Sequence, residues 1–342
     1  MTACISYPYD TPPELGSAIE VAEGVLWMRL PLPMALDHVN VYALDDGVGW
    51  TVVDTGFSSK RTQAIWETLL AGPLMGKPVT RVLVTHHHPD HVGLAGWFQE
   101  RGAELVTTRT AWLFSRMLTL DSQELPTEAQ LTYWRRCGMA PQILAKRSAE
   151  RPFNFSDCVW PMPLGFTRIR QGDSIRIGGR TWDVHIGNGH APEHATLWSR
   201  DDNLVLSGDQ ILSTISSNIG VYATEPEADP VGDWLEACER LAELARPEHL
   251  VLGGHKLPFT GLPFRMAQLI ENHHSALNRL HGYLDVPKTA GDCFPVLFKR
   301  NIGEAEYGLA LVEAMAHCLH LWHEGRVQRV LREDGAWTWQ AI

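Results

Sequence analysis

The sequence predicts an α/β protein, arranged as a four-layered αβ/βα sandwich with a small C-terminal helical, winged-helix-like extension. Three observations lead to this fold class. Two halves of the chain alternate short apolar strands with helices, several strands run directly into loops that contain His or Asp, and the chain beyond residue 261 changes to helical spacing. We therefore expect a catalytic domain over residues 1–260 and the extension over residues 261–342.

In the first half, short apolar runs bounded by turn residues such as Asp45-Asp46-Gly47 predict strands. They lie at residues 24–30, 39–44, 50–53, 79–84 and 104–107. Helical spacing of apolar residues predicts helices at 62–70 and 93–101. The strand at 79–84 runs straight into a histidine cluster, which therefore lies at the C-terminal end of a strand.

A second run of strands, punctuated by Gly and Asp, follows in the second half. These strands are predicted at residues 166–170, 174–177, 181–186, 195–199, 204–206 and 249–252, with a helix at 231–245. In the extension, helices are predicted at 265–283 and 307–323, followed by a hairpin that contains Gly335, Trp337 and Trp339. The imidazoles of these two helices are expected on solvated faces. They are His273, His274, His317, His320 and His323.

Residues 108–163 have the pattern of an insertion made of aromatic, amphipathic helices. Two interpretations remain open. The segment is either a lid whose aromatic side chains line an apolar substrate cleft, or a helical layer packed on the core. The aromatic residues concerned are Trp112, Phe114, Tyr133 and Trp134.

The composition limits the classes of partner. The chain of 342 residues has a formal net charge of −11, which disfavours nucleic acid and anionic membrane surfaces. Its six cysteines are far apart and form no CxxC pair, as expected of a reduced, cytoplasmic protein. The sequence shows neither a signal-peptide pattern nor a long apolar run. We expect a small-molecule substrate, no nucleic acid or membrane partner, and consider a homodimer.

The most informative string is Thr85-His86-His87-His88-Pro89-Asp90-His91, which concentrates four imidazoles and a carboxylate in one loop. Imidazole and carboxylate ligands suit Zn²⁺, and they also admit iron or manganese. On an extended segment His86 and His88 project to the same side while His87 points away. After the turn at proline, Asp90 and His91 face a neighbouring position, so the loop supplies two half-built metal sites.

Other loops must complete these sites. Three candidates each follow an apolar strand: His190, Asp209 and His255. Taken singly, a lone His is most often structural, and an Asp after Gly is most often a turn former. The role of His194 stays open between an outer hydrogen-bond partner and a residue that merely starts a strand.

The order His-x-His-x-Asp-His, then single His, Asp and His, resembles the metallo-β-lactamase superfamily over roughly residues 24–258. The resemblance implies a metallo-β-lactamase sandwich with two metal ions. It also implies that one ion is held by His86, His88 and His190 and the other by Asp90, His91 and His255, with Asp209 between them. Asp54, in Val53-Asp54-Thr55-Gly56, matches the aspartate that lies close to the metals in this family.

We therefore expect a dinuclear metal-dependent hydrolase in which a metal-bridging hydroxide attacks a thioester or ester carbonyl. Asp90 and Asp209 would offset part of the metal charge, and Asp54 would orient a ligand. A thiolate leaves without prior protonation, and the sequence contains no clearly placed proton donor. This favours a thioesterase of the glyoxalase II type, broadly construed.

Three alternatives remain. Lactonases of the family place a tyrosine three residues after the bridging aspartate, where this chain has Leu212. Phosphodiesterase or endoribonuclease activity, which occurs in relatives with a similar extension, would need a basic track near the site. A metal-binding redox module on the same fold normally accompanies a flavodoxin-like domain, and the sequence contains none.

Overall fold

The computed structural model describes residues 4–298 and 300–342. The chain divides into two compact units. Unit 1 contains the chain up to Ser122, together with Asn154–Ser217 and Leu241–Met266. Unit 2 contains Gln123–Phe153, Asn218–Arg240 and Ala267–Ile342. The predicted insertion at 108–163 is thus shared between the two units.

The first sheet of unit 1 has seven strands, which lie side by side in chain order. They are β1 (Ile19–Ala22), β2 (Val25–Pro31), β3 (His38–Asp45), β4 (Trp50–Val53), β5 (Val79–Leu83), β6 (Glu104–Thr107) and β7 (Thr167–Arg168). Strands β1 to β4 pair antiparallel, and β4 to β7 pair parallel. Short turns connect the antiparallel strands, whereas longer connections return the chain between the parallel strands.

The second sheet of unit 1 has five strands in the order β12-β11-β10-β9-β8. They are β8 (Ser174–Ile177), β9 (Arg180–Gly187), β10 (His194–Ser199), β11 (Leu204–Gly208) and β12 (Leu250–Gly253). Only β11 and β12 pair parallel; the other neighbours are antiparallel. Since β9 and β11 both oppose β10, they run in the same direction.

Side-chain alternation along the strands produces two apolar cores in unit 1. Trp27 and Leu44 belong to the core that also contains Trp182 of the second sheet. On the opposite face of the first sheet, Met28 packs in a core with Trp66 from the helical layer. The first sheet therefore lies between a helical layer and the second sheet, in a mixed α/β sandwich as predicted.

The helices of unit 1 are α1 (Lys60–Ala71), α2 (Pro89–Val92), α3 (Ala95–Gln99) and α4 (Arg109–Leu120). The helix predicted at 93–101 corresponds to α3, which is shorter at both ends, and the short helix α2 before it was not predicted. Between α2 and α3, a Cβ atom on Gly93 would lie 2.3 Å from the Gly56 carbonyl oxygen, so only glycine fits this close approach. Leu94, the next residue, lies outside the helical conformation with φ −109° and ψ 14°.

The remaining helices fall wholly or mostly in unit 2. They are α5 (Glu128–Arg136), α6 (Pro141–Ser148), α7 (Pro230–Ala242), α8 (Leu262–Tyr283), α9 (Phe294–Leu297) and α10 (Tyr307–His323). The chain ends in an antiparallel hairpin of β13 (Val327–Leu331) and β14 (Trp337–Ala341). Helices followed by this hairpin agree with the predicted winged-helix-like extension. Within the described residues, no helix has the length and apolar character needed to cross a membrane.

The aromatic residues of the predicted insertion pack mainly inside their own units. Trp112 on α4 stacks on Phe166 with ring centroids 4.9 Å apart, and its indole N–H donates to the Pro163 carbonyl. Tyr133 on α5 is buried, and its hydroxyl donates to the Val221 carbonyl. These contacts leave both interpretations of the segment, lid and packed layer, as predictions.

The prediction of solvated imidazoles on α8 and α10 is wrong for three of the five residues. His273, His317 and His320 are only 5%, 3% and 7% exposed. The rings of His273 and His317 stack with centroids 5.6 Å apart, and His320 pairs with Asp229 at 2.9 Å. These rings lie on buried faces of the two helices, and the spacing of residues in the sequence alone did not identify those faces.

Candidate metal centre

The predicted site residues follow the C-terminal ends of strands. Asp54 follows β4, and the loop with His86 to His91 follows β5. In the second sheet the residues after β9, β11 and β12 are His190, Asp209 and His255, respectively. The strands within each of these two sets run in the same direction, so their C-terminal ends share one edge of their sheet. The topology thereby gathers loops that are far apart in sequence.

All seven predicted ligands belong to groups that could hold a metal ion. In each group the candidate ligand atoms lie within 4.8 Å of one another. The groups are His86, His88 and His190; His86, His91 and Asp209; and Asp90, His91 and His255. His87 belongs to none of them and lies against Phe114, with ring centroids 5.1 Å apart.

Asp209 lies between the two sides of the centre. Its Oδ2 is 3.1 Å from Nε2 of His255 and 3.6 Å from Nε2 of His190. Its Oδ1 is 3.4 Å from Nε2 of His91. A carboxylate placed in this way can reach metal ions on both sides, which is the position that the sequence suggested for it.

On one side, three imidazole nitrogens converge without an acid among them. Nδ1 of His88 is 3.0 Å from Nε2 of His86 and 3.0 Å from Nε2 of His190. Nitrogen lone pairs that face each other at this distance repel unless a proton or a cation lies between them. Three such atoms directed at one point have the arrangement of a metal site rather than of a hydrogen-bond network.

Outer partners fix which nitrogen of two further imidazoles faces the centre. Nδ1 of His91 lies 2.8 Å from Oδ2 of Asp54, and Nδ1 of His255 lies 2.7 Å from the His38 carbonyl oxygen. Both oxygens are acceptors, so each Nδ1 carries a proton and each Nε2 is the nitrogen that faces the centre.

Asp54 serves the centre through His91 and belongs to none of the candidate metal groups. It is 2% exposed, and its Oδ1 accepts hydrogen bonds from the backbone N–H and the hydroxyl of Thr85. Its backbone has φ of 60°, in a left-handed conformation that Asp tolerates better than most residues. The carboxylate is therefore held rigidly behind the His91 ring.

Two buried atoms show that the centre suits a metal ion. Nε2 of His91 and Oδ1 of Asp209 have no hydrogen-bond partner among the described residues. Buried polar atoms of this kind are costly and are normally satisfied. The donor set of five imidazoles and two carboxylates matches a borderline divalent cation such as Zn²⁺. The residues present fit the predicted pair of metals.

The two sides differ in their electrostatics. Burial and the neighbouring imidazoles hold the pKa values of His86 and His88 well below the usual range. Burial also favours the neutral form of His91, but the carboxylates of Asp209 and Asp90 raise its pKa well above the usual value. His86 and His88 are thus held in their neutral forms, whereas the carboxylates of Asp90 and Asp209 favour the charged form of His91.

The structure decides the open question about His194. Its Nε2 accepts a hydrogen bond from the backbone N–H of Asp209 at 3.0 Å, and its ring stacks on His86 at 4.5 Å. His194 is therefore an outer partner of two ligands. Thr85 and His38 are also outer partners that sequence reasoning missed. Thr85 begins the histidine string, whereas nothing in the sequence singles out the carbonyl of His38.

Comparison with known proteins agrees with this geometry. A family described as the metallo-beta-lactamase superfamily matches residues 34–255. The chain belongs to this superfamily. A second family, described as the C-terminal domain of metallo-beta-lactamase-like proteins, matches residues 277–342.

Relatives of this superfamily member cover nearly its whole length. It is 28% identical to the probable metallo-hydrolase YqjP of Bacillus subtilis, over 86% of this chain and 91% of that protein. A crystal structure of a beta-lactamase domain protein from Burkholderia ambifaria has 38% identity and a TM-score of 0.91, covering 99% of this chain and 98% of its own. A metallo-beta-lactamase family protein from Thermus thermophilus has 27% identity and a TM-score of 0.79, covering 94% of this chain and 100% of its own.

Proposed function

We propose that this protein is a dinuclear metal-dependent hydrolase that cleaves thioesters or activated esters of a small-molecule substrate, with zinc as the expected metal. One observation carries the proposal. Side chains from four separate loops converge on one centre in which the Asp209 carboxylate lies within 3.6 Å of imidazoles on both sides. This convergence of imidazole and carboxylate groups supports a centre that cations occupy.

His86, His88 and His190 would hold one metal ion, and Asp90, His91 and His255 the other, with Asp209 between them. When bound, two such cations act as Lewis acids and lower the pKa of water that they contact. The protein contributes rigidity: Asp54 and the His38 carbonyl fix the rings of His91 and His255 at 2.8 and 2.7 Å. Asp90 and Asp209 limit the excess positive charge of the occupied centre.

The leaving group supports a thioester or activated ester over an amide. In the hydrolysis, the oxygen of water bonds to the acyl carbon, the bond from carbon to sulfur breaks, and the thiolate departs with the electron pair, while the two protons of the water are released to solvent. No proton donor is needed for this departure, whereas an amine must be protonated first. The position of the lactonase tyrosine is occupied by Leu212, whose side chain is apolar and only 2% exposed.

The test is a substrate panel with metal-replete protein. We expect turnover of acyl-thioesters or activated esters, and a loss of about 100-fold or more in His86→Ala and Asp209→Ala, since even outer partners of a metal contribute about 10- to 100-fold. His249→Ala is the matched control, because this imidazole is also buried in unit 1 but lies beside Trp198, outside the centre.

The panel also contains lactones, phosphodiesters and a β-lactam. Metal-replete protein that turns over only one of these classes would contradict the thioester assignment while leaving the dinuclear centre intact. If the protein binds no metal, or hydrolyses nothing in the panel, the proposal itself is wrong.

A further inference from the structure

We propose, on the basis of the ligand set of the proposed function, that each of the two metal positions has its own clamp, meaning a residue that holds the turn carrying one of the ligands. Asn40 holds the turn that carries His255, and Glu193 holds the turn that carries His190. Each clamp is a positioning residue that sets the affinity of one metal position and leaves the other nearly unchanged.

Asn40, on β3, is 1% exposed and is hydrogen-bonded to the turn after β12 at three points. Its backbone N–H donates to the Gly254 carbonyl at 2.7 Å. Its amide nitrogen donates to the carbonyls of Gly253 and Lys256 at 2.9 and 2.8 Å. Its amide oxygen accepts from the Arg29 guanidinium at 3.2 Å. The amide thus uses both its donors and its acceptor, and two of these bonds hold the turn.

The turn needs this support because of the conformation of Lys256. Its φ of 67° lies in the left-handed region, which costs a non-glycine residue energy unless its surroundings enforce it. Its backbone N–H donates to Nε2 of His38 at 3.0 Å, and its carbonyl also accepts from Arg29 at 3.2 Å. Loss of the Asn40 amide would remove one of the bonds that hold Lys256, the residue directly after His255.

Glu193 plays the corresponding role at the turn after β9. Its φ is 50°, again in the left-handed region. Its backbone N–H donates to the Asn188 side chain at 2.9 Å, and its carbonyl accepts from the Thr108 hydroxyl at 2.9 Å. Its carboxylate accepts from the backbone N–H of Thr110 at 2.7 Å, in the first turn of α4, where the helix dipole favours an anion.

The two clamps are independent. Asn40, on β3, contacts Arg29 of β2 and the turn after β12. Glu193 contacts the start of α4, the turn after β9 and Arg168 of β7, at 3.7 Å. Neither Asn40 nor Glu193 belongs to a candidate metal group. Removal of one clamp therefore loosens one ligand and leaves the other turn in place.

The experiment titrates metal-free protein with Co²⁺ against a chromophoric chelator and resolves two dissociation constants. In each of the variants Asn40→Ala and Glu193→Ala, one dissociation constant for Co²⁺ should rise by about 10- to 100-fold and the other by less than about threefold. The spectrum of the remaining Co²⁺ in Asn40→Ala should match that of His255→Ala. For Glu193→Ala it should match that of His190→Ala.

Each variant is the matched control for the other. Glu193→Gln keeps an acceptor for Thr110 and should recover most of the affinity, which distinguishes positioning from a general loss of packing. If Asn40→Ala does not fold, Tyr42→Phe removes one hydrogen bond to the Gly253 carbonyl and should shift the same constant by less.

The clamp proposal would be overturned if both dissociation constants rose together in one variant, if neither rose, or if the variant lost the opposite metal. A wild-type protein that binds fewer than two Co²⁺ ions would instead contradict the proposed ligand set, so the two failures are distinguishable.

Discussion

Substitution of Asp54 by asparagine tests whether the outer carboxylate tunes the metal centre. The change keeps the size of the side chain and suits the backbone, because Asn tolerates the φ of 60° at this position. It removes the charge that faces Nδ1 of His91 at 2.8 Å, and it places an amide donor near a protonated ring nitrogen or near the Thr85 N–H.

The expected magnitude follows from this contact. Loss of an outer partner of a metal-bound imidazole costs about 10- to 100-fold in metal affinity, or about 1.4 to 2.8 kcal/mol. The assay is a competition titration of metal-free protein with Zn²⁺ and a chelating dye. Asp54→Asn should lower the Zn²⁺ affinity of the metal position that contains His91 by this factor.

Asp229→Asn is the control for this prediction. It breaks a carboxylate–imidazole pair of similar length, 2.9 Å to His320, in unit 2, whereas the residues of the centre belong to unit 1. Metal affinity should be unchanged in this variant. An Asp54→Asn protein that binds both metals within twofold of wild type would refute the reasoning that the carboxylate supports the His91 ligand.

Three further predictions concern stability. A strong chelator should lower the midpoint of thermal unfolding and added Zn²⁺ should restore it, since a ligand that binds only the folded state stabilises that state. Equal unfolding midpoints with and without the chelator in calorimetry would contradict a metal centre. Gly208→Ala should cost about 1 to 3 kcal/mol in urea unfolding, because its Cβ would lie 2.6 Å from the His194 ring at a φ of 48°. Burial raises the pKa of Glu313 from 4.5 to about 7, although a hydrogen bond from Asn218 acts in the opposite direction. Between pH 4.5 and about 7 the folded state therefore binds more protons than the unfolded state, and the stability of the wild type falls as the pH rises. Glu313→Gln should therefore exceed wild type by up to about 3 kcal/mol at pH 8 and by little at pH 4.5; a difference that does not change with pH would contradict the shift.

The sequence predicted the regular elements where burial and periodicity coincide. The bounds of β6, β8 and α10 are as predicted from apolar runs and helical spacing. Strand β1 was missed because it lies at the edge of its sheet with only one buried side chain, Val21. Helix α2 was missed because its four residues, Pro89–Val92, are too few to show a helical spacing of apolar residues.

Prediction of the site was more complete for ligands than for their supports. The ligands carry a recognisable order of His and Asp, and the structure gathers all seven. The supports act largely through the backbone, as with the His38 carbonyl at His255. Any residue type offers a carbonyl, so no sequence signal marks such a partner. The clamps at Asn40 and Glu193 were missed for a related reason, since their roles depend on turns that tertiary contacts bring near.

Burial alone does not identify a ligand imidazole in this protein. His87, His194 and His273 are all buried, yet none belongs to a candidate metal group. His194 uses its Nε2 lone pair to accept the Asp209 N–H, and His273 has no hydrogen-bond partner at either ring nitrogen among the described residues. By contrast, His91 and His255 each give one nitrogen to a fixed acceptor and direct the other at Asp209. A metal needs an oriented lone pair at a shared point, and the outer acceptor provides that orientation. The feature that separates these two candidate ligands from His87, His194 and His273 is therefore a fixed acceptor at one ring nitrogen and the Asp209 carboxylate facing the other.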